Sequence, residues 1–441
     1  MRNINRLLFA TLVISIASAC KNSAPPVVET PKPLDMRADP GHFLVFMKNE
    51  APLVLSGKKT DNDRKKQKEL NEPKRSEIKG RIKKYFHDAY GKDITDDDID
   101  VDAVTVVHLD ITARSTVDST KSKALFDKIS NDTAVEIVPD YDLMLEDPIQ
   151  QEDPIQQADM ATDYGFSGSI ANRITCAVAT AGGPDPAPPN MKDRVIWILD
   201  TGIQPDHPDL TVDMTGLSKS FVAGITSPDD DNGHGTHVAG IAAAKRNVPV
   251  EFGCTGVSPG ATVVSLKVLN SEGKGTWGTV IAALNWVLIF NKPQDVVNMS
   301  LGRFCIKCND NDYKNLRDAI KNVAGDNTFV VMAAGNSAGD AEKEMPGCMN
   351  GTNIFTVASI TCAKECSFYS NYGKPVDWVE VGTKVYSTYL KGQYKVNSGT
   401  SMATAVLSGV IHALGSAPPP ATGIPDAKCG EPIGPYFIGK R

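Results

Sequence analysis

The run Val195-Ile196-Trp197-Ile198-Leu199 is apolar at every position, a pattern typical of a parallel strand that is covered on both faces. The same pattern predicts three further strands: Val263 to Leu269, Asp295 to Leu301 and Phe329 to Ala334. Helical patterns lie between them: His234 to Lys245, Thr279 to Phe290 and Tyr313 to Val323. Alternating strands and helices predict an α/β fold, a three-layer α/β/α sandwich with a mainly parallel sheet.

The size and composition of the chain set broad limits on its class. With 441 residues it is long enough for two domains with a sizeable core. Its 41% hydrophobic and 22% charged residues are typical of a soluble globular protein. The net charge of -7 argues against nucleic acid as a partner. After the first 19 residues, no segment is apolar enough to predict a membrane span.

Four short motifs supply a carboxylate, an imidazole, a side-chain amide and a hydroxyl: Leu199-Asp200-Thr201-Gly202, Gly233-His234-Gly235-Thr236-His237, Ala333-Ala334-Gly335-Asn336 and Gly399-Thr400-Ser401-Met402-Ala403. These groups are the parts of acyl transfer to a serine nucleophile. Asp200 directly follows a predicted strand, and sites in open parallel sheets gather at the carboxyl ends of strands. Ser401 opens the helical pattern Ser401 to Leu414, where backbone amides favour developing negative charge.

In the order Asp, His, Asn, Ser, the motifs resemble those of the subtilisin-like serine proteases (subtilases), over roughly Arg194 to Ala413. The resemblance implies that Ser401 is the nucleophile, His234 its general base and Asp200 the partner of His234. It also implies that the Asn336 side chain and the Ser401 amide stabilise the oxyanion. Ala405 stands where the family usually has proline. We interpret His237 as a structural residue, because no third metal ligand has a convincing spacing.

The resemblance also assigns substrate-binding segments. Ser300-Leu301-Gly302 and Ala333-Ala334-Gly335 would form two walls of the specificity pocket. The segment Gly273-Lys274-Gly275-Thr276-Trp277 would pair with an extended peptide, because Gly273 and Gly275 allow close backbone approach. Trp277 would then line a pocket for a residue farther upstream.

The base of the primary pocket corresponds to Glu344, which precedes Met345-Pro346. A carboxylate in a partly desolvated pocket would favour Lys or Arg before the scissile bond. Alternatively, Glu344 points to solvent on a charged loop, where Lys343 neutralises it.

The chemistry implied by the resemblance requires no cofactor, whereas structural calcium is common in the family. Asp209 matches a ligand position of some members, and Asp229-Asp230-Asp231 are further candidates. The sequence contains no complete set of oxygen ligands by spacing. Acidic loops of this kind are often simply solvated, and this alternative stays open.

Residues 1–19 have the features of an export signal: a positive start, an apolar run and a small-residue exit. Ala17-Ser18-Ala19 suits ordinary signal peptidase, whereas Ser18-Ala19-Cys20 resembles a bacterial lipobox that would lipidate Cys20. Residues 20–40 would form a proline-rich tether. The predicted protein is bacterial and exported, either secreted or held on the outer surface. Its only link to a membrane would be a lipid on Cys20.

Residues 41–145 are predicted to form a small α+β domain. Strand patterns occur at His42 to Met47, Val104 to Thr112 and Ala134 to Asp140, and helical patterns at Ser76 to Tyr90 and Ser119 to Asn131. The domain resembles the inhibitory propeptide that precedes many subtilase domains. Alternatively, it is a generic α/β binding domain. A polar tandem repeat predicts a linker at 146–160 that carries the maturation site, followed by the catalytic domain at 161–441.

Apart from Cys20, the chain has eight cysteines: Cys176, Cys254, Cys305, Cys308, Cys348, Cys362, Cys366 and Cys429. An even number in an exported chain predicts disulfides. The alternative is a zinc site formed by the pairs Cys305-x-x-Cys308 and Cys362-x-x-x-Cys366.

Together, these features predict a secreted or surface-anchored serine endopeptidase that is made as an inactive precursor. Its partners would be protein or peptide substrates and its own propeptide. The competing hypothesis is a catalytically silent binding protein on a subtilase scaffold, which the substitution of Ala405 for proline mildly favours.

Overall fold

The structure is a computed structural model. It describes residues 42–47, 99–103, 106–110, 135–139, 142–145, 174–184, 193–245, 253–304, 306–418 and 438–439, and the single residues 76, 80, 83, 84 and 87. In chain order, the strands described are β1 His42–Met47, β2 Ile99–Ala103, β3 Val106–Asp110, β4 Val135–Pro139, β5 Asp142–Met144, β6 Val195–Asp200, β7 Thr211–Val212, β8 Lys219–Ser220, β9 Thr262–Lys267, β10 Lys274–Thr276, β11 Val296–Met299, β12 Phe329–Ala333, β13 Ile354–Ile360, β14 Trp378–Val381, β15 Val385–Thr388 and β16 Tyr394–Asn397. The α-helices described are α1 Cys176–Thr180, α2 His234–Ala243, α3 Trp277–Phe290, α4 Lys314–Gly325 and α5 Thr400–Leu414.

The main sheet has eight strands in the order β14-β13-β12-β11-β6-β9-β7, with β8 also paired to β9. Each of these pairings is parallel. The four apolar runs of the sequence form β6, β9, β11 and β12. The predicted parallel sheet is therefore confirmed, with strand ends that differ from the sequence patterns by a few residues.

Two apolar clusters cover the two faces of this sheet. On β6, Trp197 and Leu199 belong to the cluster that contains residues of α3 and α4. Ile196 and Ile198 belong to the other cluster, which contains residues of α2 and α5. Because successive strand side chains point to opposite faces, β6 must be apolar at every position. This arrangement is the predicted three-layer α/β/α sandwich.

The helices begin and end close to the predicted positions. Helix α3 starts two residues before the predicted Thr279, because the Thr276 hydroxyl and Thr279 form a capping box there. The predicted start at Tyr313 is a short 3-10 turn, Asn311–Tyr313, and α4 follows it. Helix α5 ends where Gly415 adopts a left-handed conformation with φ of 68°.

The upstream residues form a separate antiparallel sheet in the order β2-β3-β1-β4. Strands β1, β3 and β4 lie within the predicted strand patterns, whereas β2 was not predicted. Residues 76, 80, 83, 84 and 87 are helical, in agreement with the first predicted helix. The helix predicted at Ser119 to Asn131 lies outside the described residues. Strands β2 and β3 lie against α3, and β5 pairs with β10.

Disulfides join Cys176 to Cys362 and Cys308 to Cys348, and Cys366 is also disulfide-bonded. The prediction of disulfides is confirmed. The alternative zinc site is wrong, because Cys308 and Cys362 each bond to a cysteine outside the proposed set. Cys254 is a buried free thiol, so pairing does not extend to every cysteine. Burial raises the pKa of this thiol.

Among the described helices, none combines the length and apolar character that a bilayer span requires.

Candidate active site

Asp200 and His234 meet at the carboxyl edge of the main sheet. Asp200 is the last residue of β6, and His234 is the first residue of α2. Nδ1 of His234 lies 2.8 Å and 2.9 Å from the two carboxylate oxygens of Asp200. Both side chains are buried, with 0% and 3% of their surfaces exposed. This contact fixes the orientation of the ring, so that Nε2 is the nitrogen that can take up and release a proton.

The pKa of His234 is raised above its ordinary value. Burial lowers this pKa, but the charge of Asp200, its hydrogen bond and the charge of Asp230 together outweigh the effect of burial. The neighbouring His237 behaves in the opposite way. Burial lowers its pKa to about 3, and its neutral ring donates from Nε2 to the Lys395 carbonyl at 3.0 Å. The contact agrees with a structural interpretation of His237.

Ser401 lies in the first turn of α5 and contacts the end of β11. Its hydroxyl donates to the Ser300 carbonyl at 3.2 Å, while the Ser300 hydroxyl donates to the Ser401 carbonyl at 3.0 Å. In the part of the chain that the structure describes, no hydrogen bond joins Ser401 to His234. Catalytic hydrogen bonds are often loose without substrate and tighten in the complex. The structure therefore brings together Asp200 and His234 directly, and fixes Ser401 through Ser300.

Asn336 is held against the start of α5. Its Oδ1 accepts hydrogen bonds from the Thr400 amide at 2.8 Å and the Thr400 hydroxyl at 2.9 Å. The Gly335 amide in turn donates to the Thr400 hydroxyl at 3.2 Å. A Cβ built on Gly399 would lie 3.4 Å from Nδ2 of Asn336. The amide group of Asn336 therefore lies beside the turn that precedes Ser401.

Glu344 lies between the two predicted pocket walls. It is completely buried, and Cβ atoms built on Gly302 and Gly335 would clash with its two carboxylate oxygens. The alternative in which Glu344 points to solvent is wrong, whereas Lys343 is exposed. Backbone hydrogen bonds of 2.8 Å and 3.0 Å between Arg303 and Met345 hold this loop against the first wall.

Sequence reasoning missed Asn371, which organises the second wall. Its Nδ2 donates to the Ala334 carbonyl at 2.8 Å and to Glu344 at 3.3 Å. Its Oδ1 accepts from the backbone amides of Ser337 and Gly339 at 3.0 Å and 2.9 Å. A single asparagine before Tyr372-Gly373 is indistinguishable from an ordinary turn residue in sequence.

The predicted peptide-binding edge already carries a segment of this chain. Strand β5 pairs antiparallel with β10, so that Leu143 faces Gly275. The Leu145 amide donates to the Gly273 carbonyl at 2.7 Å. Leu143 and Leu145 are buried in the same apolar cluster as Trp277. Gly273 has φ of +72°, and a Cβ there would lie 2.9 Å from the Leu145 side chain, so this close approach favours glycine.

The acidic calcium candidates divide into two kinds. Asp230 and Asp231 accept hydrogen bonds from protein groups. Asp209 is buried, and its Oδ2 accepts from the Cys254 amide and the Tyr394 hydroxyl. Its Oδ1 has no hydrogen-bond partner within the described ranges. Those ranges contain no group of three or more acidic, histidine or cysteine side chains arranged for a metal ion.

The fold and this constellation define a serine hydrolase of the α/β/α type. A family model described as "Subtilase family" matches residues 191–423. The match covers more than half of the chain, which therefore belongs to the subtilase family and is a serine endopeptidase. The catalytic chemistry of this family needs no cofactor.

Individual relatives are similar over about half of the chain. Thermitase from Thermoactinomyces vulgaris is 36% identical over 221 residues, which cover 50% of this chain and 74% of thermitase. An intracellular serine protease from Paenibacillus polymyxa is 35% identical over 231 residues, 49% of this chain and 64% of that relative. A solved cold-adapted subtilisin-like serine proteinase has 29% identity and a TM-score of 0.45, covering 54% of this chain and 82% of that one.

Proposed function

We propose that Asp200, His234 and Ser401 hydrolyse peptide bonds through an acyl-enzyme on Ser401. The observation that carries the proposal is the buried contact of 2.8 Å between His234 Nδ1 and Asp200. His234 takes the Ser401 proton through Nε2 and returns it to the leaving amine. Asp200 stabilises the imidazolium that forms. Water then hydrolyses the acyl-enzyme with the same base.

The oxyanion of the tetrahedral intermediate receives hydrogen bonds from Asn336 Nδ2 and from the Ser401 amide. The two hydrogen bonds that Thr400 donates to Oδ1 support this role, because they orient the amide group of Asn336. A donor that is already oriented needs no reorganisation as charge develops.

A fluorophosphonate probe tests this function against the silent-scaffold hypothesis. Wild type should be labelled at Ser401, and Ser401→Ala should stay blank. A matched control is Ser408→Ala, which removes a buried hydroxyl from the same helix. Correctly processed wild type that resists labelling and cleaves no peptide would favour a binding protein.

The primary pocket is proposed to take Lys or Arg before the scissile bond. Support comes from the buried carboxylate of Glu344 between Gly302 and Gly335. A cationic side chain would form an ion pair there that is stronger than in water, whereas an apolar side chain would gain less.

Residues 41–145 are proposed to act as an inhibitory propeptide that is removed by self-cleavage between Leu145 and Tyr164. The pairing of β5 with β10 supports this proposal, because it occupies the edge on which a peptide substrate would bind. Purified Ser401→Ala should retain the upstream segment covalently, as mass spectrometry would show. Processing of that variant in a protease-free system would contradict self-cleavage.

The protein is proposed to be exported from a bacterial cell and either secreted or anchored through a lipid on Cys20. Cys20→Ser should move an anchored protein from the membrane fraction to the soluble fraction. An unmodified Cys20 at the mature N-terminus would exclude the anchor. Nucleic acid is not among the proposed partners, given the net charge of -7.

Structural calcium is proposed to bind at Asp209. The buried Oδ1 supports this proposal, since calcium prefers carboxylate oxygens. Calcium should then raise the unfolding temperature of wild type but not that of Asp209→Asn. An equal rise in both proteins would place the ion elsewhere.

A further inference from the structure

Helix α2, which carries His234 at its first position, lacks an N-cap side chain of its own. The N-cap residue is Gly233, with φ of 108°. A side chain is excluded there, because a Cβ would clash with the Tyr389 ring. The free amides of a first helical turn need hydrogen-bond acceptors. For α2, these acceptors must therefore come from other parts of the chain.

Asp230 and Thr201 supply the missing caps. The Thr236 amide donates to Asp230 Oδ2 at 2.9 Å, and the Thr236 hydroxyl donates to the same oxygen at 2.6 Å. The Gly235 amide donates to the Thr201 hydroxyl at 3.0 Å. The Gly233 amide donates to Asp230 Oδ1 at 2.8 Å. The His234 amide donates to Asn232 Oδ1 at 3.1 Å, so Asn232 is a third side chain outside the helix that holds its first turn.

Asp230 and Thr201 also connect this turn to Asp200. The Thr201 hydroxyl donates to Asp230 Oδ1 at 2.8 Å, and the Thr201 amide donates to Asp200 Oδ1 at 2.7 Å. The Thr201 carbonyl accepts from the completely buried Lys267 at 2.6 Å. Lys267 also pairs with Asp231 at 2.6 Å. Asp230 therefore joins the strand end of Asp200 to the helix start of His234.

We propose that Asp230 is a positioning residue for the reaction, which holds His234 against Asp200 through Thr201 and the first turn of α2. The inference rests on the proposed function, in which His234 is the general base. It assigns no chemistry to Asp230 itself. The charged and titratable groups that face His234 are Asp200 on β6, Asp230 on the preceding loop and His237 on α2.

The decisive variant is Asp230→Asn, compared with Asp229→Asn as a matched control. Asparagine keeps one acceptor oxygen, so it cannot accept both the hydrogen bonds that Thr236 donates to Oδ2 and those that Thr201 and Gly233 donate to Oδ1. The exposed Asp229 has the same charge on the same loop. Active sites are counted from the burst of nitrophenol that an acylating nitrophenyl ester releases. Both kcat and KM are then measured from pH 5 to 10 on one peptide.

In Asp230→Asn, we expect kcat to fall about tenfold to a hundredfold, because misplaced catalytic groups lose this much, while KM changes little. The acidic limb of the pH profile should move to lower pH, since the charge of Asp230 raises the pKa of His234. Asp229→Asn should keep the wild-type kcat and limb. Equal kcat values in the two variants would overturn the proposal.

A second variant decides the question if Asp230→Asn does not fold. Thr201→Val keeps the shape of the side chain but removes the hydroxyl that joins Asp230 to Gly235. Its kcat should fall about tenfold, and its acidic limb should stay in place because no charge is lost. Wild-type kcat in Thr201→Val would overturn the proposal. An inactive, unlabelled wild type would instead count against the proposed function.

Discussion

Two helices begin at the carboxyl edge of the main sheet, and their first turns are held in different ways. The start of α2 is held by the carboxylates of Asp200 and Asp230 together with the neutral side chains of Thr201 and Asn232. The start of α5 is held by the neutral side chains of Asn336 and Ser300. Charges that face a buried imidazole alter its pKa, whereas neutral hydrogen bonds fix position without doing so. The contribution of the α2 start, which carries the general base His234, should therefore depend on pH and charge. The contribution of the α5 start, which carries the nucleophile Ser401, should depend on geometry alone.

The largest expected loss of turnover is the same whether the change is made at the start of α2 or at the start of α5. Ser401→Ala, His234→Ala and Asp200→Ala should each lower turnover by at least about a thousandfold, and combining them should add little, because the three act as a unit. Turnover is measured on one peptide after an added protease has removed the propeptide from every variant, because the inactive variants are not expected to process themselves. Near-wild-type activity in any single variant would remove that residue from the mechanism.

Asn336→Ala tests the start of α5 by itself. We expect kcat to fall about a hundredfold to a thousandfold with little change in KM, as for loss of one oxyanion donor. The acidic limb of the pH profile should not move. A shift of that limb would break the proposed distinction between the two helix starts.

Specificity extends the comparison to another carboxylate, the buried Glu344. Wild type should cleave peptides with Lys before the scissile bond faster than those with Leu, and Glu344→Gln should lose about tenfold or more of this preference. A peptide library measures both proteins, with the exposed Glu342→Gln as the control on the same loop. The proposal fails if wild type and Glu344→Gln discriminate equally.

The smallest effect concerns pH. Activity requires neutral His234, and its raised pKa places the acidic limb of kcat/KM above the ordinary histidine value. Activity should therefore fall as pH drops through that pKa. His237→Gln should leave the limb unchanged, because His237, with a pKa of about 3, is neutral across the range. A limb that moves in His237→Gln would mean that the two rings titrate together.

The strands and the four motifs were predictable because their signals are local. Residues 195–200 read as a buried parallel strand from five adjacent apolar side chains. Strand β2, Ile99–Ala103, was missed, although Asp100 and Asp102 alternate with apolar residues as in a half-buried strand. The burial of Glu344 was left open, since the charged residues around it are equally compatible with a solvated loop.

Pairings between distant segments had no local signal. The partners of Cys176 and Cys308 lie 186 and 40 residues away, and a cysteine does not encode its partner. Asp230 belongs to an acidic run that resembles a solvated or metal-binding loop. Its role as a cap depends on Gly233, and that glycine is required because its φ is 108° and because the Tyr389 ring packs against it.

The sequence by itself determined the parallel sheet, the helices between its strands and the four motifs at its edge, because side-chain periodicity and short motifs are properties of neighbouring residues. Only the tertiary structure decided which carboxylate meets an imidazole, which caps a helix and which lies buried in a pocket. Those outcomes depend on distances between segments far apart in the chain, and a carboxylate acquires its function from the donors and charges that surround it once water is excluded.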